Sequence, residues 1–273
     1  GTDLGVYRFP DSVGSESQWE DMCVGPGPDP DKSYIYIGAM GDNTTVTPET
    51  YKIYRVEEPT ISLTQSSKIR DLSDDVAIFE FQYDSDAKAY NAECLMIDPL
   101  TKDLYIVTKK QNLHVFRYSY PQNENKTVTL EYVTQMPDYD QSVDDSSSTT
   151  RGDMCADGMI VGNKPWLYYW EKGGRTWDEV FETNGLLIGD GTRDSVGEAS
   201  CFDHEGRHIW SQAENRDAGI KMNERLSAPP SGEDPVVSFS TPSGDITVTA
   251  GENLTVKVNA SDDDEISKVR LFR

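Results

Sequence analysis

The chain has 273 residues, 36% of them hydrophobic, with a formal net charge of −23 and a pI near 4.4. That length supports one large or two smaller domains with a buried core. The charge excludes nucleic acid and anionic membrane surfaces as partners, because phosphate binding needs clustered Lys and Arg, and no apolar run approaches the ~18 residues of a membrane helix.

Acidity on this scale keeps a protein soluble. It also suits calcium-containing water, so calcium is the one cofactor the composition brings forward. Fourteen Tyr, five Trp and frequent Val, Ile and Thr favour strands. Few windows carry helical apolar spacing, and the chain is expected to be all-β.

The first apolar segment, GVYRFP from Gly5, reads as a lone strand that would complete the last unit of a closed ring. Next comes WEDMCVGPGPDPDKSYIYIGAMGDN from Trp19. It has an acidic residue, a short apolar strand, a Pro/Gly/Asp turn and a strand rich in Tyr and Ile. The strands TYKIYRV and VAIFEFQY follow it. The pattern returns as NAECLMIDPLTKDLYIVTKKQN from Asn91, followed by LHVFRYSY and TVTLEYVTQM. It returns again as GDMCADGMIVGNKPWLYYWEKGG from Gly152 and as GEASCFDHEGRHIWSQAEN from Gly197. Four strands per unit, repeating at roughly 45 to 70 residues, is the signature of propeller blades. We therefore expect a β-propeller of about four to five blades over residues 1–226.

The first strand of a blade lies nearest the axis. Glu20, Glu93, Asp153 and Glu198 lead those strands and would form an acidic ring in the channel. Such a ring needs water, backbone N–H donors or a shared cation to offset repulsion. Each carboxylate could instead cap the neighbouring blade. Cys23, Cys94, Cys155 and Cys201 lie in the same four strands and are candidates for two disulfides, or for small buried core side chains. There is no Cys-x-x-Cys, and His114, His204 and His208 lack zinc spacing.

Arg151-Gly152-Asp153 matches an integrin-binding tripeptide but overlaps an expected inner strand. Before it, YDQSVDDSSSTT reads as a polar connection between blades. GDGTRD from Gly189 and SDDDE from Ser261 could offer calcium oxygen ligands, though neither fits an EF-hand loop. Four N-glycosylation sequons begin at Asn43, Asn125, Asn253 and Asn259 and favour an extracellular or cell-surface protein. No nucleophilic triad, phosphate loop or zinc-protease signature is present, so no catalytic residue is assigned.

Residues 227–234 lie in a Pro/Gly/Ser-rich linker. Residues 235–273 then alternate strand and turn as VVSFSTPS, LTVKVNASD and ISKVRLFR. These resemble the opening strands of a bacterial-type Ig-like sandwich, which normally has about seven strands. The remainder would be supplied downstream in cis or by strand addition from a neighbouring chain.

The stretches WEDMCVGPGP, YIYIGAMGDN, AECLMIDPLTKDLYIVTK and GEASCFD resemble a family of secreted propeller proteins carrying D-W-E-D-I-A, G-D-I-G-D-N, D-x-E-A-L and G-E-A-I-A-F. Gln18 and Ala39-Met40 depart from the first two motifs. The resemblance implies a propeller with a further blade upstream, of which LGVYRFP would be the last strand. It brings no catalytic assignment. The expected function is a structural or adhesive extracellular glycoprotein that self-assembles into a fibre or surface array, or binds other extracellular proteins. The alternative is a polysaccharide-acting lyase or hydrolase, or a calcium- or carbohydrate-binding module, with its site in the channel.

Overall fold

Apolar and polar side chains alternate in TYKIYRV and VAIFEFQY and give way to short apolar runs in AECLMI and LYIVT; punctuated by Pro, Gly and Asp, both patterns make short antiparallel strands the favoured local structure here. In a computed structural model of the protein, residues 5–10, 13, 18–42, 50–62, 64–72, 75–84, 90–109, 113–137, 150–163, 166–188, 197–203, 206–213, 220–224, 236–241 and 257–261 are described. The chain divides into two units, Gly1–Glu224 and Arg225–Arg273.

The first unit opens with β1 (Val6–Arg8), β2 (Trp19–Pro26), β3 (Ser33–Ala39), β4 (Tyr51–Glu57), β5 (Ile69–Asp71) and β6 (Ala77–Gln82). Strands β2, β3, β4 and β6 pair antiparallel in that order as the first sheet. The expected role of GVYRFP is corrected: β1 pairs parallel with β5, from Val6 opposite Ile69 to Arg8 opposite Asp71. An exposed Arg8–Asp71 ion pair at 2.6 Å lies on that pairing.

The second sheet runs β7 (Ala92–Ile97), β8 (Leu104–Thr108) and β9 (His114–Tyr118). TVTLEYVTQM divides into two strands. Its first part, β10 (Val128–Thr129), pairs with β6 of the first sheet, and its second, β11 (Glu131–Gln135), with β9. Leu130 between them is buried and donates its N–H to the Gln82 carbonyl, so one segment ties two sheets.

The third sheet comprises β12 (Thr150–Met154), β13 (Gly158–Asn163), β14 (Trp166–Glu171) and β15 (Leu186–Leu187), with the helix α1 (Trp177–Phe181) before its last strand. Thr176 and Glu179 form a complete capping box at the helix start. The fourth sheet is β16 (Gly197–Phe202), β17 (His208–Ala213) and β18 (Lys221–Glu224).

Strands β2, β7, β12 and β16, the first of each sheet, lie side by side in that order. Three apolar layers fill the spaces between successive sheets. Tyr36, Ile53 and Phe79 meet Leu95, Ile97 and Phe116 in the first layer. Met96 and Val107 meet Met159, Val161 and Trp170 in the second, closed over by Trp177 and Phe181 of the helix. Ile160 and Tyr169 meet Phe202 and Ile209 in the third. Each such fully buried side chain contributes about 1.5–3 kcal/mol.

In the second unit, β19 (Val236–Thr241) and β20 (Lys257–Ser261) pair antiparallel, with a register shift between Phe239 and Thr241. The linker residues 227–234 lie outside the described residues.

Candidate functional site

The Asp-Met-Cys triplet occurs in β2 and again at the end of β12, and its two copies make the same contact. Asp21 accepts a hydrogen bond from the Met22 N–H at 2.8 Å, and its other oxygen accepts from Leu95 N–H of β7 at 2.8 Å. Asp153 accepts from Met154 N–H at 2.8 Å and from Phe202 N–H of β16 at 2.9 Å. Each carboxylate thus clamps its own first strand to that of the following sheet. Burial pushes Asp21 up to about 8, against the pull of its two N–H donors and with added repulsion from Asp153 and Glu93. Burial raises Asp153 to about 6.

Glu20, Glu93 and Glu198 occupy irregular positions where the strand register slips, between Trp19 and Asp21, Ala92 and Cys94, and Gly197 and Ala199. A β-bulge re-aims its side chain out of the ladder. Glu93 is buried; one of its oxygens takes the Lys109 ammonium and the other has no hydrogen-bond partner. Glu20 is raised to about 7, first by burial, then by Glu93, with Lys109 pulling it down and Glu198 pushing it up again. Glu20 also lies hard against Gly41, where any Cβ would collide with its carboxylate.

Glu93 and Glu198 both act on Glu20, with Lys109 opposing them, while Asp153 and Glu93 both act on Asp21. Asp21 was missed. Aligning the Asp-Met-Cys of WEDMC with that of GDMC would have matched Asp153 to Asp21 rather than to Glu20.

The disulfide expectation is corrected: none of the four cysteines is bridged. Cys23 belongs to the first apolar layer and Cys94 to the second, so alternation along their strands sends the two thiols into different spaces. Cys94 sulfur packs where Gly152 leaves room. Burial pushes Cys23, Cys94 and Cys201 thiols up, the opposite of an activated nucleophile. Cys155 contacts Asp157 at 3.4 Å.

Arg151 is 2% exposed and Gly152 is buried, so of the integrin-type tripeptide only Asp153 reaches the open cavity. His114 sits in an aromatic cluster with Tyr90 and Tyr132, and burial holds it below the usual range. His208 Nδ1 lies 2.6 Å from Asp203. Asn125 and Asn259 are exposed. Asn43, Asn253, His204, GDGTRD, most of YDQSVDDSSSTT and SDDDE beyond Ser261 lie outside the described residues. Among the described residues, no group of three or more His, Cys, Asp or Glu is arranged to hold a metal ion.

On the hairpin-turn side, Asp98 is buried and accepts from Trp177 Nε1–H at 3.0 Å and Leu100 N–H at 2.8 Å, with the Lys172 ammonium 3.6 Å away. That ammonium also lies over the Trp177 ring. The network pins the helix of the third sheet to the turn of the second. Between the first and fourth sheets an open cavity of about 1170 Å³ is bordered by Asp21, Cys23, Asp153, Cys201 and Trp210.

Residues 235–273 match the bacterial Ig domain family. No curated protein matches the chain. Among solved structures, the chain is similar to Raptor of Chaetomium thermophilum, at 9% identity and a TM-score of 0.40, over 76% of this chain and 17% of that one. It is also similar to a 6-phosphogluconolactonase candidate from Bacteroides uniformis, at 10% identity and a TM-score of 0.40, over 77% and 68% of the two chains. The chain spans about a sixth of the length of the Raptor chain. No helix among the described residues is long and apolar enough to cross a membrane.

Proposed function

We propose that the four sheets are blades of a β-propeller and that the protein is a non-enzymatic structural or adhesive glycoprotein of the extracellular space or cell surface. It would hold copies of itself or other extracellular proteins through its propeller and Ig-like surfaces. The observation that carries this reading is the pair of inter-sheet clamps. Asp21 and Asp153, two of the three carboxylates raised by burial (Glu20 is the third), both have their oxygens engaged by backbone N–H groups of two sheets. A group held that way braces the fold and is poorly placed to pass protons to a substrate. The bacterial Ig match supports a surface location, since modules of that kind are frequent in surface proteins.

A second reading rests on the buried, unpartnered oxygen of Glu93 beside Glu20 and Glu198. There a sugar hydroxyl would be bound, or a polysaccharide cleaved, with Glu20 as acid or base. Sedimentation and electron microscopy over a range of concentrations, run beside turnover assays on a polysaccharide panel, separate the two. Assembly without turnover supports the adhesive reading. Turnover that disappears in the combined Glu20→Gln, Glu93→Gln, Glu198→Gln variant overturns it.

A further inference from the structure

Among the described residues, the two middle sheets are covered on both faces and the two end sheets on one. Strand β7 is buried at every position. Strand β2 instead alternates: Cys23 is buried in the first layer, while Met22 and Val24 on the opposite face are 52% and 46% exposed. The fourth sheet mirrors it. Ile209 is buried against the third sheet, while the cross-strand row Cys201, Trp210 and Met222 is exposed, with Trp210 at 37% and Met222 at 51%. An antiparallel sheet can face water on one side, but exposed apolar side chains grouped on that side mark an interaction surface.

The two uncovered faces border one cavity: Met22 and Val24 on one wall, Cys201, Trp210 and Ile220 on the other. At about 1170 Å³ it exceeds the ~300–1,000 Å³ typical of small-molecule sites. Its border also carries Asp31, Glu58 and Asp157, while Asp203 there is held by His208 and Lys32 by Glu57. The opening is therefore apolar on its walls and acidic at its border.

We propose that this opening is the docking site of a second polypeptide, which inserts an antiparallel β-hairpin with apolar faces and Lys or Arg at its turn. The apolar faces would complete the burial that the end sheets lack. The basic turn would meet the acidic border, where complementary charge speeds encounter and fixes orientation. Another copy of this chain fits poorly, because it brings the same border and the same net charge of −23. The inference rests on the adhesive reading and names its surface and partner chemistry.

The test uses the whole chain and a synthetic hairpin of Val- and Thr-rich strands joined through Lys-Asn-Gly-Lys, whose Asn-Gly favours the turn. The readout is the rate at which an aromatic disulfide reagent modifies Cys201, located by peptide mass. The hairpin is expected to slow that reaction ~tenfold at saturation, and Trp210→Ser or Val24→Ser to weaken binding ~tenfold, as loss of a buried anchor does. A scrambled peptide of the same composition should leave the rate unchanged. Equal protection by the scrambled peptide, no protection by the hairpin, or indifference to both substitutions overturns the proposal. So does a Cys201 already unreactive in the isolated chain, whether at monomer mass, with its own polypeptide covering the face, or at dimer mass, with a second copy doing so. Loss of this docking with assembly still seen in sedimentation removes the surface and leaves the adhesive reading standing.

Discussion

Replacing Asp21 with Asn and following stability from about pH 5 to about pH 9 tests the clamp directly. In the folded chain Asp21 titrates at about 8, against an ordinary value of 3.8. Between those values the native state holds a proton that the unfolded chain has released. Its contribution is therefore fully present below the unfolded value and is lost as pH rises through the folded one. The limiting slope is about 1.4 kcal/mol per pH unit. Asp21 borders the open cavity, so water screens it from one side, and a total on the order of 1–3 kcal/mol across the window is the expected size. Glu20 and Asp153, raised to about 7 and about 6, act in the same direction. The Asn side chain keeps the shape but turns an amide N–H₂ towards one of the two backbone donors, a loss of about 0.5–1.5 kcal/mol. Urea midpoints at constant ionic strength should thus show the variant less stable at the acid end, with the gap closing or reversing at the alkaline end. Two parallel curves, or a wild-type curve that rises with pH, would refute the reasoning.

Asp98→Ala should lower stability by ~2–4 kcal/mol, because it leaves the Trp177 indole N–H and the Lys172 ammonium without their buried acceptor; Asp98→Asn, which keeps an acceptor oxygen, should lose clearly less in thermal unfolding. Gly152→Ala should lower stability by ~1–3 kcal/mol, since a Cβ there would sit 2.7 Å from the Ile160 carbonyl oxygen and 2.8 Å from the Cys94 sulfur. Adding Cys94→Ala should recover only part of that loss in urea unfolding, because the carbonyl belongs to the paired β13 and cannot move aside.

Much of the sheet content was legible, because a strand exposed on one face and buried on the other writes its period into the sequence. TYKIYRV, VAIFEFQY and LHVFRYSY appear as β4, β6 and β9. TVTLEYVTQM looked like one strand because period two continues through Leu130; its division between two sheets depends on where β6 and β9 end. Helix α1 was missed for its brevity, although Thr176-Trp177-Asp178-Glu179 carries the capping-box spacing. GVYRFP has strand composition but no mark of its partner, and it found β5.

By itself, the amino-acid order determined that a strand carrying an acidic residue, with a cysteine in it or just after it as at Cys155, would recur four times, and that an Ig-like segment would follow, because alternation, turn residues and repeats are local properties. Which carboxylates meet was decided by tertiary structure. A bulge of one residue turns Glu20 towards Glu93 and Lys109 and leaves Asp21 to reach Leu95, a contact between positions far apart in the chain. Burial of Arg151, separation of Cys23 from Cys94 and the uncovered faces of Met22 and Trp210 have the same origin. Each depends on which sheet stands next to which, and that is set by packing across the whole unit rather than by neighbours along the chain.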